Sequence, residues 1–339
     1  MSTWQISYIQ MPARHKRTLL LLAGLTVLAA ALSLAAGPVV LSPGELWAAL
    51  MGRSCGTAGT ILLHIRLPRT CACLLAGAAL AVSGAIIQSV LANPLAAPNI
   101  IGVNAGAGLM VALACALAPT ALALTPVLAF LGAMAGVLLV LAIARRTGAS
   151  RLTVALAGVA VSSVFNAGID AVVTFVPDTL NSYADFRVGS LANLTLDRIL
   201  PAGALILIAL LLALTLAGEM DVLLLGEDVA RSLGLNAGRI RMVLLAVAAA
   251  LAGAAVSFAG LLGFVGLIIP HMARRLVGED SRPLLTASAL GGAALLTICD
   301  LLSRLLFAPY ELPVGVVLSL GGGPFFLWLL LKQRGGRTP

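Results

Sequence analysis

Long, continuously apolar segments recur along this chain of 339 residues and decide which folds it can adopt. A helix that crosses a membrane needs about 20 apolar residues, because the hydrocarbon core is about 30 Å thick and a helix rises about 1.5 Å per residue. These segments are too uniformly apolar for barrel strands, and only helices or closed barrels satisfy backbone groups in lipid. We therefore predict one transmembrane domain over 1–339, an all-α polytopic membrane helix bundle. The ten predicted spans are residues 18–36, 70–91, 99–118, 122–144, 152–176, 198–217, 239–261, 263–277, 283–306 and 312–331.

The distribution of basic residues predicts the orientation of these spans. With a cytoplasmic N-terminus, most of the 21 lysine and arginine residues fall on the inner side, including both tails. Because cytoplasmic loops carry an excess of basic residues, we expect both termini in the cytoplasm and a short N-terminal tail over 1–17. The net charge of +8 then reflects this bias, and we expect no nucleic-acid partner. The first span also resembles a signal peptide, but removing it would leave nine spans, so we predict an uncleaved anchor.

An internal repeat connects the two halves of the chain. Leu75 to Gly84 reads LAGAALAVSG, and Leu251 to Gly260 reads LAGAAVSFAG, so six of ten positions are identical at an offset of 176 residues. The two segments lie in the second and seventh spans, which cross the membrane in opposite directions. Chance similarity between helices rich in small residues is the alternative. A genuine repeat predicts the inverted topology that many transporters share.

The sequence lacks the motifs of several enzyme classes. Its two lysines, Lys16 and Lys332, lie in the basic tails, and neither follows the glycine-rich loop of a GxxxxGK[ST] motif. The chain has no GxSxG motif, and no histidine and cysteine spacing suits a metal. We predict no catalytic residue, no metal site and no cofactor, so uphill transport would need a partner or an ion gradient.

Polar residues recur along the fifth predicted span. Ser162, Asn166, Asp170 and Thr174 are spaced by four residues and fall along one slowly drifting helix face. Polar groups at membrane depth are costly, and they usually face a bundle interior or a water-filled path. The stripe indicates a translocation path, or it serves hydrogen bonding between helices.

The longest predicted inner loop covers residues 218–238. It has the pattern of a short amphipathic helix, with Glu227 and Asp228 early, Arg231 later and Gly234 at its end, which suits the helix dipole. Leucines 223–225 add an apolar surface. The loop is either a solvated connector or, as we favour, a docking element for a cytoplasmic partner.

Three arginines lie at predicted outer ends of spans, against the general charge bias. Arg66 and Arg69 precede the second span, and Arg304 follows Asp300 by four residues near the end of the ninth, a spacing that permits a local ion pair. An outer positive patch would attract an acidic partner surface. Ordinary anchoring at the membrane interface is the alternative.

Eight motifs together resemble the permease subunits of type II ABC importers for iron–siderophores, haem and cobalamin, the FecCD/BtuC-like permeases. They follow the order of that family across nearly the whole chain. The matching stretches are RLPRT (66–70), LAGAALAVSGAIIQ (75–88), NPLAAPNIIGVNAGA (93–107), LGEDVARSLG (225–234), GFVGLIIPHMARRLVGED (263–280), DLLSR (300–304), ELPVG (311–315) and GGGPFF (321–326).

The resemblance implies a set of partners and a location. It implies a bacterial inner-membrane protein that pairs with a second permease subunit, identical or homologous, with the path between them. It also implies a cytoplasmic ATP-binding cassette ATPase dimer and a periplasmic or lipid-anchored substrate-binding protein.

The resemblance also implies roles for particular residues. Glu227, Ala230 and Gly234 match the loop that rests on the ATPase. Arg66, Arg69 and Arg304 match arginines that meet the binding protein, and the fifth span matches the helix that lines the path.

Two transport mechanisms fit these observations. The leading hypothesis is an ATP-driven importer subunit that works by alternating access on a metal chelate, with iron–siderophore first and haem or cobalamin as further candidates. The rival is a secondary transporter driven by an ion gradient, which also fits an inverted repeat. That class needs titratable groups near the bilayer midplane. Only Asp170 and Asp300 lie inside spans, both toward the outer end, and a membrane-embedded enzyme has no recognisable catalytic set.

Overall fold

The computed structural model describes residues 13–39, 42–51, 56–120, 122–147, 150–308 and 310–334. Within these ranges the chain forms helices and no strands. The first half contains α1 (Ala13–Ala35), α2 (Pro43–Leu50), α3 (Thr57–Thr60), α4 (Leu67–Val90), α5 (Val103–Leu117), α6 (Thr125–Arg146), α7 (Arg151–Phe175) and α8 (Thr179–Val188). The second half contains α9 (Leu196–Thr215), α10 (Ala217–Leu224), α11 (Glu227–Ser232), α12 (Ala237–Ala259), α13 (Val265–Val277), α14 (Ser281–Leu305) and α15 (Val314–Arg334).

Each of the ten predicted spans corresponds to one helix, which confirms the all-α polytopic bundle. Seven helices of the described part are both long and apolar enough to cross a membrane, and α5 and part of α15 are shorter apolar helices. The eighth span is the shortest, because α13 has 13 residues and carries Arg274 and Arg275 in its last turn. Of the predicted tail 1–17, residues 1–12 lie outside the described part of the chain.

The second span starts earlier than the sequence predicts. One continuous helical segment covers Thr57–Val90, and a π-helical turn over Ile61–Arg66 joins α3 to α4. Pro68 is the second residue of α4 and directly follows the π-helical turn, an irregularity of the kind that accompanies a proline inside a helical segment. The RLPR stretch therefore continues the helix, although its arginines and proline resemble a boundary.

Close packing in the bundle depends on glycine pairs. Gly77 of α4 lies against Gly292 of α14 so closely that a Cβ atom on either residue would overlap the other's carbonyl oxygen. Gly106 of α5 and Gly132 of α6 form a second pair of this kind. Without a hydrophobic drive between helices in lipid, such contact between backbones supplies the packing energy.

The pattern of helix packing repeats between the two halves. Helix α4 packs on α14 as α12 packs on α6, and α5 packs on α6 as α13 packs on α14. Each helix of the second pair lies five spans after its counterpart in the first pair, and the count returns to the first span after the tenth. The repeated segments lie in α4 and α12, which contact each other in the core, where Ser83 Oγ donates to the carbonyl of Ala248 at 2.6 Å.

Two clusters of polar side chains lie at opposite ends of the bundle. We call the end that holds Arg66, Arg69, Asp300, Arg304 and Glu311 the network end. The end that holds α10 and α11 is called the loop end. The paired polar groups at both ends are the candidates for function.

Candidate functional site

The predicted loop 218–238 forms two short helices rather than one. Helix α10 ends at Leu224 and α11 begins at Glu227, because Gly226 between them takes a φ of +109°, which few other residues adopt. The end at Gly234 is confirmed. The N–H of Gly234 bonds to Arg231 O at 2.9 Å, and Gly234 has a positive φ.

Glu227 joins the loop to the N-terminal part of α12. Its Oε1 accepts a short hydrogen bond from Arg241, whose side chain is buried, and its Oε2 lies 3.6 Å from Arg231 Nη2. The hydrogen bond from Arg241 is the main reason why the pKa of Glu227 is lowered. Glu227 itself is partly exposed, so the pair lies at the boundary between the loop surface and the helix core.

The loop also contacts two further helices at their first turns. Asp221 Oδ1 accepts a hydrogen bond at 2.9 Å from the N–H of Ser281, the first residue of α14. Arg151, the first residue of α7, lies 3.5 Å from Leu223 O, and Ala230 is buried. A displacement of α10 and α11 would therefore act on α7, α12 and α14 together.

The network end contains a buried carboxylate between two arginines. Asp300 Oδ1 lies 2.9 Å from Arg69 Nε, and Asp300 Oδ2 lies 3.1 Å from Arg304 Nε. Arg69 extends further to Glu311, whose Oε2 lies 2.7 Å from Arg69 Nη1. The local Asp300–Arg304 pair follows from the spacing, whereas the contacts of Arg69 span more than 230 residues of sequence and could not be predicted from it.

Arg66 and Arg304 bind the C-terminal end of α1. Arg66 donates to the carbonyls of Leu34 at 2.9 Å and of Ala35 at 2.6 Å. Arg304 Nη2 donates to Ser33 Oγ at 2.8 Å. Cations at a helix C-terminus satisfy carbonyls that have no partner in the helix and complement its dipole.

The three predicted docking arginines are therefore not presented as an exposed positive patch. Arg66, Arg69 and Arg304 are each less than 7% exposed. The expectation of free outer guanidinium groups is wrong for this structure, because the end of α1 and the carboxylate of Asp300 take up their donors. A docking role for this end of the protein stays a prediction.

The polar stripe of the fifth span lies on α7, and three of its four residues are exposed. Asn166, Asp170 and Thr174 lie on the exposed face of the helix, and Thr174 Oγ1 donates to the carbonyl of Asp170 at 2.7 Å. Ser162 turns partly inward, and within the described residues its hydroxyl has no hydrogen-bond partner. A spacing of four residues drifts by about 40° per step, which explains the difference. Little of α7 is buried within the chain.

A polar contact inside the bundle near the loop end could not be predicted from the sequence. Arg274 of α13 contacts Gln88 and lies 3.1 Å from Ser89 Oγ, both in the last turns of α4. Gln88 Nε2 donates in turn to Gly266 O at 3.2 Å. The motifs around Gln88 and Arg274 lie in separate parts of the chain, so nothing in the spacing indicates that they meet.

No group of three histidine, cysteine, aspartate or glutamate side chains within the described ranges could hold a metal ion. The polar side chains at both ends instead form hydrogen bonds and ion pairs between helices. This arrangement can hold helices together and transmit motion between them.

Comparison with known proteins places the chain in a family. Its sequence matches the model of the FecCD transport family over residues 25–332. The hemin transport system permease protein HmuU of Yersinia pestis is 40% identical over 285 residues, 82% of this chain and 85% of that protein. The Fe(3+)-citrate import system permease protein YfmE of Bacillus subtilis is 36% identical over 321 residues, 94% of this chain and 96% of that protein.

A solved structure has the same fold over nearly its whole length. It is described as an inward-facing conformation of a metal-chelate type ABC transporter, and it superposes with a TM-score of 0.84 at 28% identity. The match covers 94% of this chain and 99% of that one. The resemblance carried by the sequence motifs is thereby confirmed, and the chain belongs to the FecCD transport family.

Proposed function

We propose that this chain is the permease subunit of an ATP-driven, binding-protein-dependent ABC importer for a metal chelate. The observation that carries the proposal is the family match over residues 25–332. The names of the relatives, a hemin permease and a ferric citrate permease, support an iron chelate as cargo. An iron–siderophore is the first candidate, and haem and cobalamin follow.

ATP hydrolysis belongs to a partner in this proposal. The chain has no GxxxxGK[ST] motif, so a cytoplasmic ATPase dimer would supply the energy. That dimer would bind the loop end around Glu227 and Gly234, while Ala230, which is buried, would hold the loop against the bundle. The contacts of this loop with the N-terminal parts of α7, α12 and α14 support a mechanical role, since each helix continues into the bundle.

The path would lie between this chain and a second permease subunit, identical or homologous. The exposed polar face of α7, with Asn166, Asp170 and Thr174, supports this location, because polar groups that faced lipid would be costly. In the bacterial inner membrane, the positive-inside bias supports a cytoplasmic loop end and cytoplasmic termini.

The network end would then face a periplasmic or lipid-anchored substrate-binding protein. Arg66, Arg69 and Arg304 would act there mainly by holding α1, α4 and α14 in place. Glu311 is the part of this network closest to solvent, with a side chain that is 36% exposed. Arg69 would become available to a partner only where Glu311 released it.

The test is uptake of a radiolabelled ferric chelate into vesicles that contain the permease with its ATPase and binding protein. We expect uptake that requires ATP, and we expect Glu227→Arg to abolish it while the protein still inserts. Asp228→Arg is the matched control, because it makes the same charge change at the next residue, which is exposed and has no ion pair within the described residues. ATP-independent uptake by the permease alone under an ion gradient would instead support a secondary transporter.

A further inference from the structure

A groove between α6 and α12 opens at the loop end and is not used by the proposed mechanism. Two adjoining cavities of roughly 560 and 440 Å³ form it, and both are lined by Arg145 and Met242. Leu138 and Leu141 line the part that reaches into the bundle, and Arg239 lines the part near the loop. The groove thus has a charged mouth and an apolar interior.

The charge at the mouth is not compensated within the described residues. Arg145 and Arg146 end α6, and Arg239 lies in the first turn of α12. All three are exposed, and none of them forms an ion pair in the described part of the chain. The nearby Glu227 is engaged by Arg241 and Arg231. The mouth therefore favours an anion.

The position of the groove selects the kind of anion. Leu138 lies seven residues before Arg145, or about 10 Å deeper along a helix that is long and apolar enough to span the membrane. Leu138 is exposed, and so is Val243 on α12. A molecule that fills the whole groove needs an anionic head and an apolar tail. Basic pockets between transmembrane helices suit the headgroups of anionic lipids.

We propose that this groove binds an anionic phospholipid. Its phosphate lies between Arg145 and Arg239, and one acyl chain follows Leu138, Leu141 and Met242. The lipid would connect the end of α6 to the start of α12. Arg241 lies two residues after Arg239 and forms an ion pair with Glu227. The bound lipid would therefore also stabilise the loop.

Native mass spectrometry of the purified chain in detergent tests this proposal with phosphatidylglycerol, phosphatidylcholine and the soluble headgroup glycerophosphoglycerol. We expect phosphatidylglycerol to bind more tightly than phosphatidylcholine. Arg145→Gln with Arg239→Gln should weaken phosphatidylglycerol binding about thirtyfold, since each basic residue near an anionic surface contributes about a factor of five. The control pair is Arg275→Gln with Arg282→Gln, two exposed arginines of α13 and α14 that make the same charge change outside the groove.

Three results would overturn the proposal. One is equal binding of phosphatidylglycerol to the groove variant and to the control variant, provided that both elute as folded protein. Another is equal binding of phosphatidylglycerol and phosphatidylcholine. The third is competition by glycerophosphoglycerol at the same concentration as the lipid, which would indicate a site for a soluble phosphate. Replacing Leu138 by Gln should weaken lipid binding without changing the charge, and unchanged binding would be a fourth result that overturns the proposal.

Discussion

The carboxylate of Asp300 lies 2.9 Å from Nε of Arg69, and this contact joins α14 to α4 across 231 residues of sequence. Asp300 is fully buried, and Arg304 of its own helix contacts its second oxygen. Two guanidinium groups thus share one carboxylate inside the bundle. Because charges buried without a partner are costly, and Glu311 pairs only with Arg69 among these arginines, Asp300 contributes most to the stability of this network.

Replacing Asp300 by Asn should destabilise the protein strongly. The substitution keeps the shape of the side chain but leaves two buried cations without their shared anion, so we expect a loss of about 3–5 kcal/mol in the free energy of unfolding. Chemical unfolding in detergent measures it, with the exposed Asp228→Asn as control. A loss equal to that of the control would contradict a structural role for the network.

Replacing Glu311 by Gln should cost much less, about 1 kcal/mol or below. Glu311 Oε2 lies 2.7 Å from Arg69 Nη1, but the side chain of Glu311 is 36% exposed. Arg69 also keeps Asp300 as a partner in this variant. Solvent and salt screen such a contact, so the difference between wild type and variant should shrink at high salt. Unfolding midpoints at low and high salt measure this, and a loss as large as that of Asp300→Asn would refute the ranking.

The contact between Glu227 and Arg241 should make the loop sensitive to acid. The pKa of Glu227 is lowered from its ordinary 4.5, mainly by the hydrogen bond from Arg241. A lowered pKa in the folded state means that the stabilisation is complete above about 4.5 and is lost as the pH falls through the lower folded value. Hydrogen exchange of the α11 amides, corrected for intrinsic rates, should therefore show constant protection from neutral pH down to about 5 and progressively less protection as the pH falls below 4.5.

Glu227→Gln provides the comparison for this acid response. We expect it to have reduced α11 protection already at neutral pH and a flatter acid response, since it has no carboxylate to protonate. An identical pH profile in the variant and the wild type would show that another group controls the loop.

The glycine pair between α4 and α14 predicts a difference between two alanine substitutions. In Gly77→Ala the added Cβ meets the carbonyl of Gly292, so the helices must separate, and overpacking of this kind costs about 1–3 kcal/mol. In Gly24→Ala on α1 the Cβ meets nothing within 4 Å, and the higher helix propensity of alanine should leave stability unchanged or raise it by up to about 1 kcal/mol. Unfolding of both variants in detergent measures the difference, and equal stabilities would show that the close contact is absent.

Much of the fold could be predicted from the sequence because hydropathy alone identifies spans in lipid. All ten predicted spans match helices, and the repeat in α4 and α12 indicated how the halves correspond. The start of the second span was missed because Arg66 and Pro68 resemble an interface. The guanidinium of Arg66 instead donates to carbonyls at the end of α1, and Pro68 continues the helix after the π-helical turn, neither of which hydropathy reveals.

The sites were predicted less completely, since they depend on contacts between distant parts of the chain. The end of the second helix of the loop, at Gly234, follows from local turn chemistry and was predicted correctly. The burial of the arginines could not be predicted, because nothing in the sequence indicates that carbonyls at the end of α1 bind Arg66. Arg274 and Gln88 were missed for the same reason, as their pairing exists only after α4 and α13 pack.

The exposed face of α7 should be reachable from water, whereas an exposed apolar face of α6 should not. We expect Asn166→Cys and Asp170→Cys to react with a membrane-impermeant maleimide in the assembled transporter, because polar residues at membrane depth line a hydrated path. Leu131→Cys on α6 is the control, since Leu131 is 52% exposed within the chain but would face lipid. The measurements need a variant in which the native cysteines are replaced by alanine, and Ser162→Cys should react more slowly because its side chain turns partly inward. Equal labelling of Asn166→Cys and Leu131→Cys would mean that α7 lines no path.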